Sequence, residues 1–215
     1  MNVRAWLDDP QIWRRAIQIG AALLIVVAIA VGAWAWSSRR ESQGQAALAE
    51  AEVVVQQALA PQATPDARAR AIQALEGVLQ AHPRFSGAAQ AAYQLGNLQY
   101  AAGQYAAARA AYATALAKGA PPSMALLSSI SIGYTWEAEK NYGNAASAYE
   151  AALRSIGPKD FVYEDTLMAL ARVQELAGKP AAALETYQRI LRDVPESRRA
   201  DDLKTRVADL KDRSK

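Results

Sequence analysis

Chemistry at a protein site needs a nucleophile, a base or a metal cage held in a defined constellation. Few residues of this 215-residue chain could supply one. There is no cysteine, which removes disulfides, thiolate metal sites, a thiol nucleophile and a lipidated Cys, and with the last a bacterial lipoprotein. The only histidine, His82, precedes Pro83 at a turn and reads as structural or merely exposed. Glu137 and Glu139 are two residues apart, so on a helix they face different directions. Glu164 and Asp165 fit better as negative charge at a helix N-terminus, where the backbone dipole favours it. The glycines beyond residue 40 are scattered at helix junctions and form no phosphate loop. No Asp, Glu or His cluster has metal-ligand spacing. The expectation is a protein that is not an enzyme and has no catalytic, cofactor-binding or metal site.

Charge argues equally against nucleic acid. Lys and Arg number 24 against 21 Asp and Glu, and residues 37–215 hold 21 against 19, a balance that releases few counterions on binding a phosphate backbone. What remains is a question of elements. The chain has 50 alanines and two phenylalanines. Alanine is the best helix former, and a sandwich or barrel would want β-branched and aromatic residues instead. An all-α fold is expected.

Between Arg15 and Arg39, residues 16–38 carry no charge. As a helix they span about 34 Å, enough for a hydrocarbon core of about 30 Å. Asp9 and Pro10 suit an N-cap and first helical position. Trp13 on one side and Trp34 and Trp36 on the other fit the two membrane interfaces. Ala33, Trp34 and Ala35 match a small-x-small cleavage pattern. The leading region, however, contains Asp8 and Asp9, and the apolar run exceeds that of a signal peptide. The segment therefore reads as a retained transmembrane helix, with a cytoplasmic flank at 1–15. Arg4, Arg14 and Arg15 outnumber Arg39 and Arg40, a weak positive-inside bias toward a cytoplasmic N-terminus. Residues 39–60 are expected to continue as a connecting helix.

The remainder repeats itself. Stretches 91–116, 128–153 and 166–191 each read as two short helices joined by a tight turn, ending at Tyr105, Tyr142 and Pro180. Gly96 aligns with Gly133 at a separation of 37, and Tyr149 with Tyr187 at 38. Recurring small residues sit at Leu95-Gly96, Ala108 and Ala115, then at Ile132-Gly133, Ala145 and Ala152, then at Leu170-Ala171 and Ala183. Tyr112, Tyr149 and Tyr187 recur in phase with them, and Pro121 and Pro195 close two of the stretches. This pattern resembles the tetratricopeptide repeat, a 34-residue helix–turn–helix unit that stacks into a solenoid. Units are expected at 52–85 (degenerate), 89–122, 126–159 and 164–197. A capping helix should follow at 198–215, its apolar Leu203, Val207 and Leu210 set among charges.

The resemblance implies a groove lined by the first helices of the units. Carried onto this chain, its lining positions are Tyr93, Asn97 and Tyr100, then Ile130, Tyr134 and Glu137, then Met168, Arg172 and Glu175. This aromatic, weakly charged lining lacks the Lys/Asn clamp with which some relatives grip a carboxylate. One membrane helix followed by such repeats is similar in architecture to the ancillary subunit of the SecYEG translocon (YfgM type). That likeness implies an adaptor on the periplasmic side of a bacterial inner membrane. Its partners would be the translocon, a membrane-anchored periplasmic chaperone and secreted polypeptides. Two alternatives remain at this point: a scaffold of another envelope or secretion complex, and a homo-oligomerising structural component.

Overall fold

The computed structural model describes residues 10–213, which form nine helices and no strand. Arg4, Asp8, the expected cap Asp9 and most of the 1–15 flank lie outside the described residues. The helices are α1 (Pro10–Leu59), α2 (Pro65–Ala81), α3 (Ala88–Ala101), α4 (Tyr105–Ala117), α5 (Pro122–Ala138), α6 (Tyr142–Leu153), α7 (Tyr163–Leu176), α8 (Pro180–Asp193) and α9 (Ala200–Arg213). Each packs on the next, and α3 also touches α5. The result is a row of hairpins: the end of α1 with α2, α3 with α4, α5 with α6, and α7 with α8, closed by α9.

Local chemistry sets the breaks. Proline occupies the first turn of α2, α5 and α8, where its missing N–H is harmless. Thr64 Oγ1 accepts from the Ala67 N–H at 3.2 Å, and Asn141 caps α6 in the same way. The three turns inside the later hairpins share one device. Gly103, Lys140 and Gly178 adopt φ of 74°, 59° and 70°. The residue after each donates its N–H back across the turn, to Gln99, Trp136 and Gln174. These turns recur at 37 and 38 residues, the period seen in the sequence.

Packing within each of the last three hairpins is a notch against a ring. A Cβ built on Gly96 would lie 2.6 Å from Tyr112 Cε1, and one on Gly133 would lie 2.3 Å from Tyr149 Cε1. The fourth hairpin repeats the register with Ala171 and Tyr187, both buried. Ala108, Ala145 and Ala183 are fully buried at the matching places on the second helices. Helices can approach this closely only where a side chain is absent or a single methyl.

α1 is one unbroken helix of 50 residues, about 75 Å long. An 18-residue stretch within Ile17–Leu59 reaches a mean hydropathy of 2.3, with none of it buried in the protein. It is long and apolar enough to cross a membrane. The packed face of α1 begins at Gly44, before the expected start of the first unit at residue 52, and continues through Leu48, Ala51, Val55 and Ala58. Phe85, from the loop after α2, sits against Gly44, 2.5 Å from where its Cβ would be. Beside it Glu41 accepts from the Ser86 N–H at 3.0 Å and the Ser86 hydroxyl at 2.5 Å. These hydrogen bonds hold the Glu41 carboxyl below the usual carboxylate range.

Most of the buried apolar residues fall into two clusters, and Ala89, Ala92, Ala108, Tyr112 and Ala115 of α3 and α4 belong to neither. One joins α1, α2, α3 and Ala111 of α4; the other runs from Ile130 of α5 to Leu210 of α9. Ser128 and Thr135 of α5 are fully buried, and both hydroxyls donate to carbonyls of their own helix. At the far end α9 buries Leu203, Val207 and Leu210 and exposes Asp201 and Asp202, as a terminal cap requires.

Candidate functional site

The first helices α3 and α5 touch, and side chains bridge α5 to α7 and α7 to the cap α9. Four residues after Gly133 comes Glu137, and four after Ala171 comes Glu175. Tyr149 donates to Glu137 at 2.9 Å and Tyr187 to Glu175 at 2.8 Å. Each carboxylate also receives an arginine from the next first helix. Arg172 of α7 makes bonds of 2.7 and 2.9 Å to Glu137. Arg206 of α9 bonds both oxygens of Glu175, one of them at 3.0 Å. Hydrogen bonding to Glu137 raises the Arg172 pKa, a strap of tyrosine, carboxylate and arginine that fastens one unit to the next.

The seam between α3 and α5 departs from this scheme. Tyr100 stands where Glu137 and Glu175 stand, four residues after Gly96, and Tyr134 stands where Arg172 stands. Tyr112 finds its acceptor in Asn97 Oδ1 at 2.8 Å instead. Without an ion pair the seam opens into a cleft of about 330 Å³, lined by Asn97, Tyr100, Tyr112, Ser131 and Tyr134. Six of the nine tyrosines gather here in three ring pairs: Tyr93 with Tyr112, Tyr100 with Tyr105, and Tyr134 with Tyr149, their centroids 5.5–5.9 Å apart. Burial raises the phenol of Tyr112 to about 12 and also lifts Tyr100 and Tyr134. All three are neutral donors at physiological pH. The neighbouring α4–α5 contact is held by Arg109 of α4, which pairs with Glu139 at 2.7 Å and lies 3.5 Å over the Trp136 ring.

Of the nine positions implied for a groove, the structure puts Asn97, Tyr100 and Tyr134 on the cleft and Tyr93 against its wall. Glu137, Arg172 and Glu175 form the straps. Met168 is half-buried against the C-terminal core. Ile130 is 5% exposed, so it lies in the core rather than on the groove. It precedes Gly133 by three residues and shares the stripe turned toward α6. Tyr112 and Ser131 line the cleft without having been implied. Tyr112 has the phase of a packing residue, and Ser131 carries no periodic signal.

A second cleft, of about 380 Å³, lies between α1 and α2 and includes Ala47, Val54, Gly77 and His82. Its titratable groups are Glu50 and His82 alone, too few for a catalytic constellation. Among the described residues no three His, Asp or Glu side chains are grouped to hold a metal ion.

Residues 165–197, which run from the start of α7 past the end of α8, match the tetratricopeptide repeat family. The two hairpins before it, α3 with α4 and α5 with α6, reproduce the same notch, ring and turn in the same register. The fold is an all-α tetratricopeptide-repeat solenoid. No curated protein matches the chain. Tetratricopeptide solenoids serve as protein-binding surfaces, and the tyrosine seam is where this one departs from its own strap pattern.

Proposed function

We propose that this protein is a membrane-anchored adaptor, not an enzyme, that offers the tyrosine face of its solenoid to protein partners or unfolded polypeptides at the membrane surface. The observation that carries the reading is the junction in α1. An apolar span runs without a break into the first hairpin, and Phe85, Ser86 and Glu41 clamp the join. Such a tether confines the cleft to the membrane surface and raises its effective concentration there, so weak contacts suffice. Neutral tyrosines supply broad, adaptable contact at low entropic cost.

In its finer form the reading places the anchor in a bacterial inner membrane and the solenoid in the periplasm. There it works beside the SecYEG translocon and a membrane-anchored periplasmic chaperone on secreted polypeptides. The architectural likeness to the ancillary translocon subunit supports this. The test is a photo-crosslinker in place of Tyr100 in intact membranes. Capture of translocon, chaperone or secreted chains is expected. Capture of nothing but further copies of this protein would replace the adaptor by a homo-oligomerising structural component.

A further inference from the structure

The charges of the whole chain nearly balance, but those around the stem do not. Phe85 on Gly44, and Ser86 on Glu41, hold the loop after α2 against α1. Lys118, just after α4, donates from Nζ to the Pro83 carbonyl at 2.6 Å and so joins the same loop. The fold thereby carries Arg84 and Lys118, 45 and 79 residues beyond Arg39, to the part of the stem that bears Arg39 and Arg40. All four cations are exposed. None takes part in an ion pair among the described residues. The one carboxylate beside them, Glu41, is engaged by the Ser86 N–H, the Ser86 hydroxyl and the Gln45 amide. Residues 36–44 with the loops 82–87 and 118–121 thus hold four positive charges against one negative. The turns at the opposite end of the same two hairpins, 60–64 and 102–104, hold no charge.

We infer that these four cations form a platform for the headgroups of net-anionic phospholipids in the membrane that α1 crosses, a proposal that rests on the anchored reading above. The stem selects the occupant. With residues 16–38 filling the hydrocarbon core, the headgroup layer beyond it is about 5–7 Å deep. Arg39 and Arg40 follow the core directly and stand inside that layer, with the Arg40 guanidinium over the Trp36 ring. Gly44, and with it the loop that carries Arg84, lies about 9 Å beyond Ser38, at the rim of the layer. From there a long basic side chain reaches down to phosphate. The first anions these cations meet are those of the lipid around the stem, kept near by the anchor itself. A zwitterionic headgroup carries its own cation beside each phosphate. A net-anionic one leaves a negative surface potential, which favours each nearby Lys or Arg by about fivefold. Held in this way, the first two hairpins turn their inter-unit loops toward the bilayer and the turns at 60–64 and 102–104 away from it.

The test uses the full-length protein in vesicles of phosphatidylcholine, alone or with about 30% phosphatidylglycerol. Both carry a trace of lipid with a nitroxide on its headgroup. The chain has no cysteine, so a fluorophore can be attached at one site through Ala117→Cys, beside Lys118, or through Ala102→Cys, at the other end of that hairpin. Quenching at site 117 should be at least about twofold stronger with phosphatidylglycerol. The gain should vanish in about 1 M salt, where the screening length is about 3 Å. Site 102 should show no gain. Arg84→Gln with Lys118→Gln should remove at least about half of it, whereas Arg84→Lys with Lys118→Arg should preserve it. Equal quenching in the two kinds of vesicle, or an equal gain at both sites, overturns the inference with the platform intact, whatever happens to the variants. So does a gain that survives the glutamine pair with the helical circular dichroism unchanged. Flotation separates the two levels. Protein that floats with phosphatidylcholine vesicles yet shows no gain sinks this inference and leaves the anchor standing. Protein that floats only when phosphatidylglycerol is present sinks the anchor and leaves the platform.

Discussion

Three tyrosine hydroxyls illustrate how single groups are used in this protein. Tyr112, Tyr149 and Tyr187 each bury a ring in a notch and still find an acceptor for the hydroxyl, on Asn97, Glu137 and Glu175. Burial is the first cause that raises all three, Tyr112 and Tyr187 to about 12 and Tyr149 further. The unfolded chain ionises its tyrosines near 10. The folded state thus holds protons that the unfolded state releases. This stabilisation is complete below about pH 10 and is lost as pH rises toward the folded values. Thermal unfolding followed by circular dichroism should be flat from about pH 7 to 9 and fall steeply above about 10. Tyr149→Phe should make that fall shallower. A midpoint that does not move between about pH 9 and 11 would show that these hydroxyls are not held as described. Lys140 makes a contrasting point, since it adopts a φ of 59° where the equivalent turns use Gly103 and Gly178. The repeat tolerates a strained residue there because the turn's hydrogen bonds to Glu137 and Trp136 still form.

At the scale of the helix, the decisive quantity is how near two axes can come. Gly133 and Gly143 lie in the same hairpin, ten residues apart, yet their surroundings differ. A Cβ on Gly133 would meet Tyr149 at 2.3 Å, whereas one on Gly143 meets nothing within 4 Å. Gly133→Ala should therefore overpack the α5–α6 crossing and cost about 1–3 kcal/mol. Gly143→Ala should be neutral or stabilising by up to about 1 kcal/mol, because alanine is the better helix former. Urea unfolding of the two variants checks the pair. Equal stabilities would mean the notch-and-ring register is wrong. The straps are a second property of elements. Their arginines are partly exposed, so each adds orientation more than stability. Between α3 and α5 the strap positions hold Tyr100 and Tyr134 instead, and the cleft opens there.

For the whole molecule, the continuity of α1 matters most. From Ser38 to the first packed residue, Gly44, the helix rises about 9 Å, so the solenoid begins close behind the apolar span. Trp34 and Trp36, just before this stretch, are exposed, and Arg40 stacks 4.1 Å over the Trp36 ring. Such a rigid stem leaves the solenoid little freedom to swing. On the proposed topology, an alkaline phosphatase fused after Lys215 is active, and a reporter that works only in the cytoplasm is silent. The opposite pattern would put the solenoid in the cytoplasm and remove the translocon reading. The adaptor role in its general form would survive.

What the sequence by itself determined is what local signals carry. Prolines and glycines mark the turns, the charge-free run marks the apolar span, and periods of 37 and 38 residues mark the hairpins. The recurrence of Gly96 with Gly133, and of Tyr112 with Tyr149 and Tyr187, was legible because each returns in phase, but that the ring fills the glycine notch of its own hairpin was decided by the packing. Tertiary structure decided everything that depends on the angle between units. Glu137 meets an arginine 35 residues away, Glu41 meets a serine 45 away, and Ile130 turns inward rather than toward the groove. The cleft belongs to this second kind. It exists because tyrosines stand where the later units place an ion pair, and an unfilled space leaves no periodic mark in the chain. Burial and cross-unit contact are properties of stacked surfaces, and the stacking is set by the sum of many small side chains, not by any one motif.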